Sequence, residues 1–375
     1  MSNHFSTVKI KHFKSIKEIK FACRRINLFI GEPNVGKSNI LEALALFSAP
    51  SSFANGKPGK DQDHYFGWDQ IRYEKISNLF HFQDITKPLS VVTNKGLAHL
   101  ILTLPQSEQY EFFIAGSEEE LELFMLSEPE FPFKKNAENF YKNSEKGYLP
   151  NYYIYMANDG KHEHQPLDLS MLNYRGFVKK YVFNQTLFNL QREYNRFPFY
   201  LLPSYGSNIF TIVHRNRELE DIVAGLFEKY GLELVFVQDK VEYLFQYKKG
   251  RIASQLPYDS AADTLQRYIF HLAAIHSNKD SVLLFEEPEA HTFPTYIIDI
   301  AQEIIDSETN QFFISSHSPY LVERIIEKAP AEDVSVFFCQ YKDHQTTVRE
   351  LTSAELSDMK KYKFDIIAHV DEFEK

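Results

Sequence analysis

Eight residues near the start of the chain have types and a spacing suited to binding phosphate groups. The segment Gly31-Glu32-Pro33-Asn34-Val35-Gly36-Lys37-Ser38 fits the pattern G-x-x-x-x-G-K-[ST] without a mismatch. Glycines let a backbone wrap closely around phosphate oxygens, and the N–H groups that open the following helix supply positive potential. The Lys37 ammonium could reach the β- and γ-phosphates of a nucleotide, and the Ser38 hydroxyl could ligate Mg²⁺. The segment therefore predicts a nucleoside triphosphate site.

Two adjacent carboxylates far downstream could complete such a site. Glu286 and Glu287 directly follow the apolar run Val-Leu-Leu-Phe. One carboxylate is needed to hold Mg²⁺ or its water shell, and a second one facing the γ-phosphate can orient and polarise the attacking water. The two motifs together indicate phosphoryl transfer to water.

A histidine after the next apolar run is a third candidate. In Phe-Phe-Ile-Ser-Ser-His-Ser-Pro, His317 follows polar residues at the end of a short apolar segment. A histidine there could hydrogen-bond the γ-phosphate or the attacking water, and so respond to the state of the nucleotide.

Three apolar runs must bring these residues together. Ile26 to Ile30, 281–285 and 311–316 are short and continuously apolar, as strands buried on both faces should be. Residues 37–47 show the periodicity of a helix. Ligands of parallel α/β sheets bind at the carboxyl ends of the strands, so the motifs should meet at one edge of a sheet. We predict an α/β fold.

Composition excludes several other classes of protein. The chain has 375 residues, 43% hydrophobic and 25% charged, which is usual for globular proteins and unlike a disordered chain. No apolar run reaches the ~18 residues of a membrane span. Two cysteines cannot make a disulfide framework, and the N-terminus lacks the apolar segment of a secretory signal, so we expect a cytoplasmic protein with no membrane partner. The net charge of −10 argues against a protein that coats DNA.

The first 25 residues are locally basic, with five lysines and two arginines against one glutamate. Their apolar and basic residues alternate, which predicts antiparallel strands with one solvated face, and a face that meets nucleic acid or phosphate is the alternative.

We expect a β-meander over 70–116 and a helix over 178–194. A further helix over 260–275 should be capped by Asp259 or Ser260.

These elements predict three regions. Residues 1–64 would form the first half of the nucleotide-binding unit, 65–210 an inserted region of β and α elements, and 211–375 the second half with the carboxylate pair and His317. His162-Glu163-His164 has no matching ligand pair at metal-binding spacing, and we interpret it as a polar loop.

The three motifs, in this order, resemble the SMC-like, ABC-type ATPases. The opening KIKHFKSIKEIKF…INLFIGEPNVGKSNILEAL resembles their N-terminus, LLFEEPEAHTFP their Walker B segment and D-loop, and FFISSHSPYL their switch-histidine segment. Within that superfamily the chain is similar to the OLD (overcoming lysogenisation defect) group, which includes stand-alone ATPase subunits of bacterial anti-phage systems. The resemblance covers about 1–50 and 200–330.

The resemblance implies an ABC-type P-loop ATPase head that has a mixed sheet, an N-terminal antiparallel β portion and an inserted α+β region. ATP and Mg²⁺ would be its cofactors, and it would form a head-to-tail dimer or a higher oligomer. Glu286 would take the metal-side role with Ser38, Glu287 the role of catalytic base, and His317 that of γ-phosphate switch. The residues expected to bind the nucleotide are Gly31, Asn34, Val35, Gly36, Lys37, Ser38 and Asn39, with Ser260 from the partner subunit.

Two departures from the family pattern stand out. The segment in the signature position, 258–264, contains no glycine, and Ser260 is its candidate phosphate-contacting hydroxyl. Glu286 stands where most Walker B motifs have Asp, and the extra methylene can be accommodated if Mg²⁺ is held through water. Gln83 is the candidate for the Q-loop glutamine.

Three functions are compatible with these features. The first is an ATP-hydrolysing sensor or regulatory subunit of an anti-phage system, because no carboxylate constellation of a nuclease follows His317; a separate nuclease or toxin would be its effector. The second is a RecF-like repair ATPase, which would make nucleic acid a partner. The third is a scaffold that binds ATP and hardly turns it over.

Overall fold

The computed structural model describes residues 2–48, 70–104, 109–115, 152–156, 177–186 and 197–362. The sequence also predicts a loop over 48–63, rich in Ser, Gly, Pro and Asp, and a short acidic helix near 117–126. Nearly all of this loop, this helix and the segment His162-Glu163-His164 lie outside the described residues. In the described part of the chain no helix is both long enough and apolar enough to cross a membrane.

The central element is a six-stranded mixed sheet. Its strands, in spatial order, are β15 (Gln345–Glu350), β14 (Val334–Lys342), β3 (Ile26–Ile30), β13 (Gln311–Ser315), β12 (Val282–Glu286) and β8 (Val178–Tyr181). All neighbouring pairs are parallel except β14 with β15. The three apolar runs of the sequence thus lie next to one another as β3, β13 and β12, and their carboxyl ends point to the same edge.

A second sheet is antiparallel and begins at the N-terminus. Its strands, in spatial order, are β2 (Ile16–Ala22), β1 (Thr7–Phe13), β4 (Leu89–Thr93), β5 (Gly96–Leu104), β6 (Gln109–Ala115) and β7 (Tyr152–Met156). The predicted N-terminal strands and the β-meander are confirmed. On the solvated face of β1 and β2, Lys9 and Lys11 lie 3.2 and 3.9 Å from a Glu18 carboxylate oxygen.

A small third sheet and the helices complete the fold. The sheet is antiparallel and consists of β9 (Glu233–Val237), β10 (Glu242–Lys249) and β11 (Ile252–Pro257). The helices are α1 (Lys37–Ala45), α2 (Ile209–Arg215), α3 (Arg217–Glu228), α4 (Asp263–Ser277), α5 (Pro294–Asp306), α6 (Pro319–Lys328) and α7 (Ser353–Tyr362).

The central sheet separates two apolar clusters, which explains why its strands are continuously apolar. Leu283 and Phe285 of β12 pack into the cluster that contains residues of α2 to α6. Val282 and Leu284, which point to the other face, pack into the cluster that contains α1 and the inner face of β1 and β2. Helix α1, which follows the phosphate loop, therefore packs against the face of β12 that carries Val282 and Leu284.

Two predictions for individual elements are wrong in part. Residues 178–181, at the start of the helix predicted over 178–194, form strand β8, because both faces of this segment are covered and its two lysines find partners inside the protein. Gln185 and Thr186 are helical, and 187–194 lie outside the described residues. Helix α4 begins at Asp263 rather than at Ser260. Its N-cap is Ala262, with no side-chain cap, so neither Asp259 nor Ser260 caps it.

Candidate active site

The phosphate loop connects the end of β3 to the start of α1, and its glycines are required by their surroundings. Gly31 has φ 140° and Gly36 has φ 98°, values that L side chains rarely adopt. A Cβ on Gly36 would lie 2.0 Å from Thr346 Oγ1, and one on Gly31 would lie 2.3 Å from the Cys339 carbonyl oxygen. The loop thus rests directly on the hairpin of β14 and β15.

The Lys37 side chain is folded back over its own loop. Its Nζ donates to the carbonyl oxygens of Gly31 at 2.9 Å and Glu32 at 2.6 Å. Residue Lys37 is 5% exposed, and burial lowers the pKa of its ammonium. The ammonium group therefore lies within the loop, where phosphate oxygens would compete with these carbonyls for its hydrogen bonds.

Ser38 and Glu286, which are far apart in the sequence, lie near each other, and hydrogen bonding by the Ser38 hydroxyl is one of the influences that lower the pKa of Glu286. Burial would by itself raise the pKa of Glu286, but the Lys180 charge, the Ser38 hydrogen bond and the Arg72 charge outweigh it, so the pKa lies below its ordinary value. Glu286 is therefore ionised at neutral pH.

Glu286 is neutralised by two cations, Lys180 and Arg72, which no sequence motif distinguishes. Lys180 Nζ lies 3.2 Å from Oε2, and Arg72 donates to Oε1 at 2.8 Å. Arg72 also donates to Glu42 Oε1 at 2.7 Å, and Lys14 binds the other oxygen of Glu42. One signal was available: Glu42 interrupts the apolar face of α1 and is fully buried, so it required a cationic partner.

Glu287 and His317 lie together at the carboxyl ends of β12 and β13. His317 Nε2 is 3.5 Å from Glu287 Oε1. Burial and the Lys37 charge lower the pKa of His317, against the opposing effect of Glu287. The imidazole is therefore mainly neutral at pH 7 and can accept a hydrogen bond on one ring nitrogen while it donates one from the other.

The remaining predicted contacts of the phosphate loop differ in their environment. Asn34 is exposed, with φ 64°. The Val35 carbonyl accepts a hydrogen bond from Thr346 Oγ1 at 2.8 Å. Asn39 directs its side-chain amide at Ser15 Oγ, 2.7 Å away, so its backbone rather than its side chain faces the loop.

Ser260 is not brought to this site within the chain. It ends the short 3₁₀ turn Tyr258–Ser260, and Tyr258 packs against Phe210 in the cluster on the face of the sheet opposite α1. Just beyond, Asp263 stands in the first turn of α4 and accepts from Arg267 at 2.6 Å. Gln83 lies in the exposed turn His81–Gln83, and its role stays a prediction.

The donors present fit a hydrated Mg²⁺. Mg²⁺ in nucleotide sites keeps several waters and takes one or two protein oxygens together with phosphate oxygens. Ser38 and Glu286 supply one hydroxyl and one ionised carboxylate that lie near each other. Among the described residues no group of three or more His, Cys, Asp or Glu could hold a metal ion by itself. The protein's part of such a site is therefore small, and the phosphates would supply the rest.

Comparison with known proteins gives one family match and one curated relative. The family model described as "AAA domain, putative AbiEii toxin, Type IV TA system" matches residues 26–323. An "ATP/GTP phosphatase" of Helicobacter pylori (strain ATCC 700392 / 26695) is 21% identical over 373 residues, which cover 91% of this chain and 94% of the relative.

Two solved structures are distantly similar. The SMC head bound to the C-winged helix domain of ScpA has 15% identity and a TM-score of 0.47, and the match covers 96% of this chain and 100% of that one. The SMC head domain from Thermotoga maritima has 12% identity and a TM-score of 0.41, and the match covers 93% and 99%.

The family match spans more than half of the chain and includes the phosphate loop, both glutamates and His317. The curated relative is named "ATP/GTP phosphatase", and the match covers nearly its whole length. The chain therefore belongs to the family of AAA domains described as "AAA domain, putative AbiEii toxin, Type IV TA system", and it is a P-loop ATPase.

Proposed function

We propose that this ATPase is a regulatory subunit of a bacterial anti-phage system of the OLD-like kind, in which ATP turnover controls a separate toxin or nuclease. The arrangement of β3, β13 and β12 carries the catalytic part of the proposal, because these neighbouring parallel strands bring the phosphate loop, His317 and the carboxylate pair to the same edge of the sheet. The regulatory part is suggested by the family description, which names a type IV TA system.

Each residue has a distinct role in the proposed hydrolysis. The Lys37 ammonium neutralises charge on the β- and γ-phosphates, and the loop N–H groups hold the same oxygens. Glu287 orients the attacking water and accepts its proton at a carboxylate oxygen. His317 hydrogen-bonds the γ-phosphate through its ring.

Ser38 and Glu286 would hold Mg²⁺, which when bound supplies positive charge to the phosphates. Because Lys180 and Arg72 already neutralise Glu286, the metal is expected to arrive with the negatively charged triphosphate rather than alone.

The chain's described segments after His317 support a separate effector. Strands β14 and β15 extend the central sheet, and Leu351, Leu356 and Met359 pack into its core. This part of the structure thus serves the ATPase fold, and it contains no cluster of metal-ligating side chains of the kind a nuclease uses. ATP would bridge two copies head to tail, with Ser260 of the partner subunit facing the phosphates, in a cytoplasmic protein.

The decisive experiment on catalysis is Glu287→Gln. Loss of a general base lowers kcat by about 10²–10⁴-fold, while the amide keeps the shape, so binding of ATP should persist. Phosphate release and binding of a fluorescent ATP analogue are measured with Glu327→Gln, an exposed site on α6, as the matched control. Negligible phosphate release by the wild type would favour the alternative, a scaffold that binds ATP.

The regulatory role is tested with the products of neighbouring genes. Co-expression with a neighbouring nuclease or toxin should protect cells against phage, and Glu287→Gln should remove that protection. A purified chain that degrades DNA or RNA by itself would contradict a separate effector. Salt-dependent binding to gapped duplex DNA, lost when Lys9 and Lys20 are changed to Glu, would instead favour a RecF-like repair ATPase.

A further inference from the structure

One oxygen of Glu289 binds three consecutive residues of another loop. Glu289 lies between β12 and α5, and its Oε1 accepts hydrogen bonds from the Ser316 hydroxyl at 2.8 Å, the His317 backbone N–H at 2.7 Å and the Ser318 backbone N–H at 3.1 Å. These donors all belong to the turn between β13 and α6. Apart from the Ser316 backbone N–H, which donates to the Phe29 carbonyl oxygen at 3.1 Å, this single carboxylate oxygen holds the turn that presents the His317 ring.

The second oxygen of Glu289 has no comparable role. Oε2 is shielded from solvent and has no hydrogen-bond partner among the described residues. Burial raises the pKa of Glu289, with the Glu287 charge acting in the same direction, while the hydrogen bonds to its oxygens oppose the rise. Burying a carboxyl group costs free energy unless hydrogen bonds compensate it. The three donors to Oε1 supply that compensation.

The same two loops are also joined by backbone. The Glu287 N–H donates to the Ser315 carbonyl oxygen at 2.9 Å, and at Glu287 the chain turns with φ 46°. This bond fixes Glu287 against Ser315 at the end of β13, but it does not reach His317. Glu289 supplies the missing connection, because it binds the backbone of His317 itself.

We infer that Glu289 is a positioning residue, which sets the separation of Glu287 and His317 by holding the backbone of the turn that carries the histidine. The inference rests on the proposed roles of those two residues. Glu289 touches neither the 3.5 Å contact between them nor the phosphate loop's hydrogen bonds. The hydrogen bonds of Glu289 therefore act on hydrolysis through the position of His317, whereas its charge also acts on Lys37 and Glu287.

The test is a double-mutant cycle on phosphate release. Glu289→Ala frees the turn, and misplacement of a catalytic group by about 1 Å can cost about 100-fold, so kcat should fall by about that factor with little change in KM for ATP. In the His317→Ala background, the same substitution should cause no further loss. Glu289→Gln keeps an oxygen that can accept from the three donors and should retain most of the wild-type kcat. Glu308→Ala, an exposed site before β13, is the control.

The possible outcomes distinguish the positioning role of Glu289 from its alternatives. Equal losses from Glu289→Ala in the wild-type and His317→Ala backgrounds would overturn the inference, as would an unchanged kcat. If Glu289→Ala does not fold, Glu289→Asp replaces it, since its shorter side chain keeps the carboxylate but cannot reach all three donors at once. A wild type that releases no phosphate would contradict the proposed function itself, whereas an active wild type with an indifferent Glu289 would contradict only the positioning role.

Discussion

Lys180 Nζ lies 3.2 Å from Glu286 Oε2, and the lysine side chain is only 2% exposed. The two residues come from β8 and β12, which pair in parallel. Lys180 Nζ also donates to the Gln70 carbonyl oxygen at 2.9 Å. The carboxylate next to the phosphate loop is thus compensated by a cation that is buried with it.

We predict that Lys180→Met destabilises the protein by about 3 kcal/mol at pH 7.5, since removing one partner of a buried ion pair leaves an uncompensated charge. Urea unfolding measures this loss. Lys180 holds the pKa of Glu286 down, so the stabilisation is present above the ordinary pKa of a glutamate and is lost as pH falls through the lowered one. The difference between variant and wild type should therefore shrink toward pH 4.

The matched control is Lys328→Met, which removes an exposed lysine at the end of α6. Its free energy of unfolding should stay close to that of the wild type, because surface substitutions away from buried pairs have small effects. An equal loss in both variants would show that Lys180 contributes nothing as a buried counter-ion.

A second prediction concerns Thr346, which fastens the phosphate loop to two other segments. Its Oγ1 donates to the Val35 carbonyl at 2.8 Å and lies 2.6 Å from Ser15 Oγ. Thr346→Val keeps the shape and removes these bonds. Each buried hydrogen bond contributes about 1 kcal/mol, so ATP affinity should fall several-fold while the fold persists. Titration with a fluorescent ATP analogue measures the change.

The next residue offers the control. Thr347 Oγ1 makes a 3.4 Å contact with the Gln340 carbonyl and does not touch the loop. Thr347→Val should therefore bind ATP as the wild type does. If both substitutions weaken binding equally, the contact of Thr346 with Val35 does not shape the loop.

The strands were predictable because each of them is specified locally. Continuous apolar runs in β3, β12 and β13 indicated burial on both faces, and the alternation in β1 and β2 indicated one solvated face. At 178–181 the sequence predicted the start of a helix, whereas the structure has a strand whose two lysines are buried. Their partners, Asn278 for Lys179 and Glu286 for Lys180, lie about 100 positions away and leave no local trace.

The catalytic candidates were predictable from motifs, but the residues that hold them were not. Glycine, lysine and serine in the phosphate loop follow from the chemistry of phosphate binding. Arg72, Lys180 and Thr346 act through tertiary contacts, so nothing in their neighbours along the chain distinguishes them. Glu289 was visible within the acidic segment, yet its role depends on three donors from a different loop.

A third prediction is that Lys37→Ala abolishes tight nucleotide binding and leaves the fold intact. Both hydrogen bonds of its Nζ go to carbonyls of its own loop, so the substitution disconnects no structural element. Loss of charge-assisted bonds worth about 1.5–3 kcal/mol corresponds to an affinity lower by about 10- to 100-fold. Circular dichroism verifies the fold, and Lys279→Ala, at an exposed position, is the control. An unfolded Lys37→Ala would mean that this lysine is structural.

A fourth prediction concerns the pH dependence of stability, through His271 in α4. This residue is buried, and burial lowers its pKa from 6.5 to about 4. The unfolded chain binds the proton below about pH 6.5 and the folded chain resists until about pH 4, so stability falls as pH decreases through this window. Between pH 7.5 and pH 5 the wild type should lose about 2 kcal/mol from this group. Urea unfolding of His271→Leu should show a loss smaller by that amount.

His276, one turn and a half further along α4, should act in the opposite direction. His276 Nε2 donates a hydrogen bond to Glu303 Oε2 at 2.8 Å, and this bond raises the pKa of His276 against the effect of burial. A histidine with a raised pKa adds stability below its ordinary pKa, and that stability is lost as pH rises through the raised value. Glu303→Gln should therefore make the loss of stability on acidification steeper, whereas His271→Leu makes it shallower. If the two variants shift the pH profile in the same direction, the protonation of these histidines does not control it.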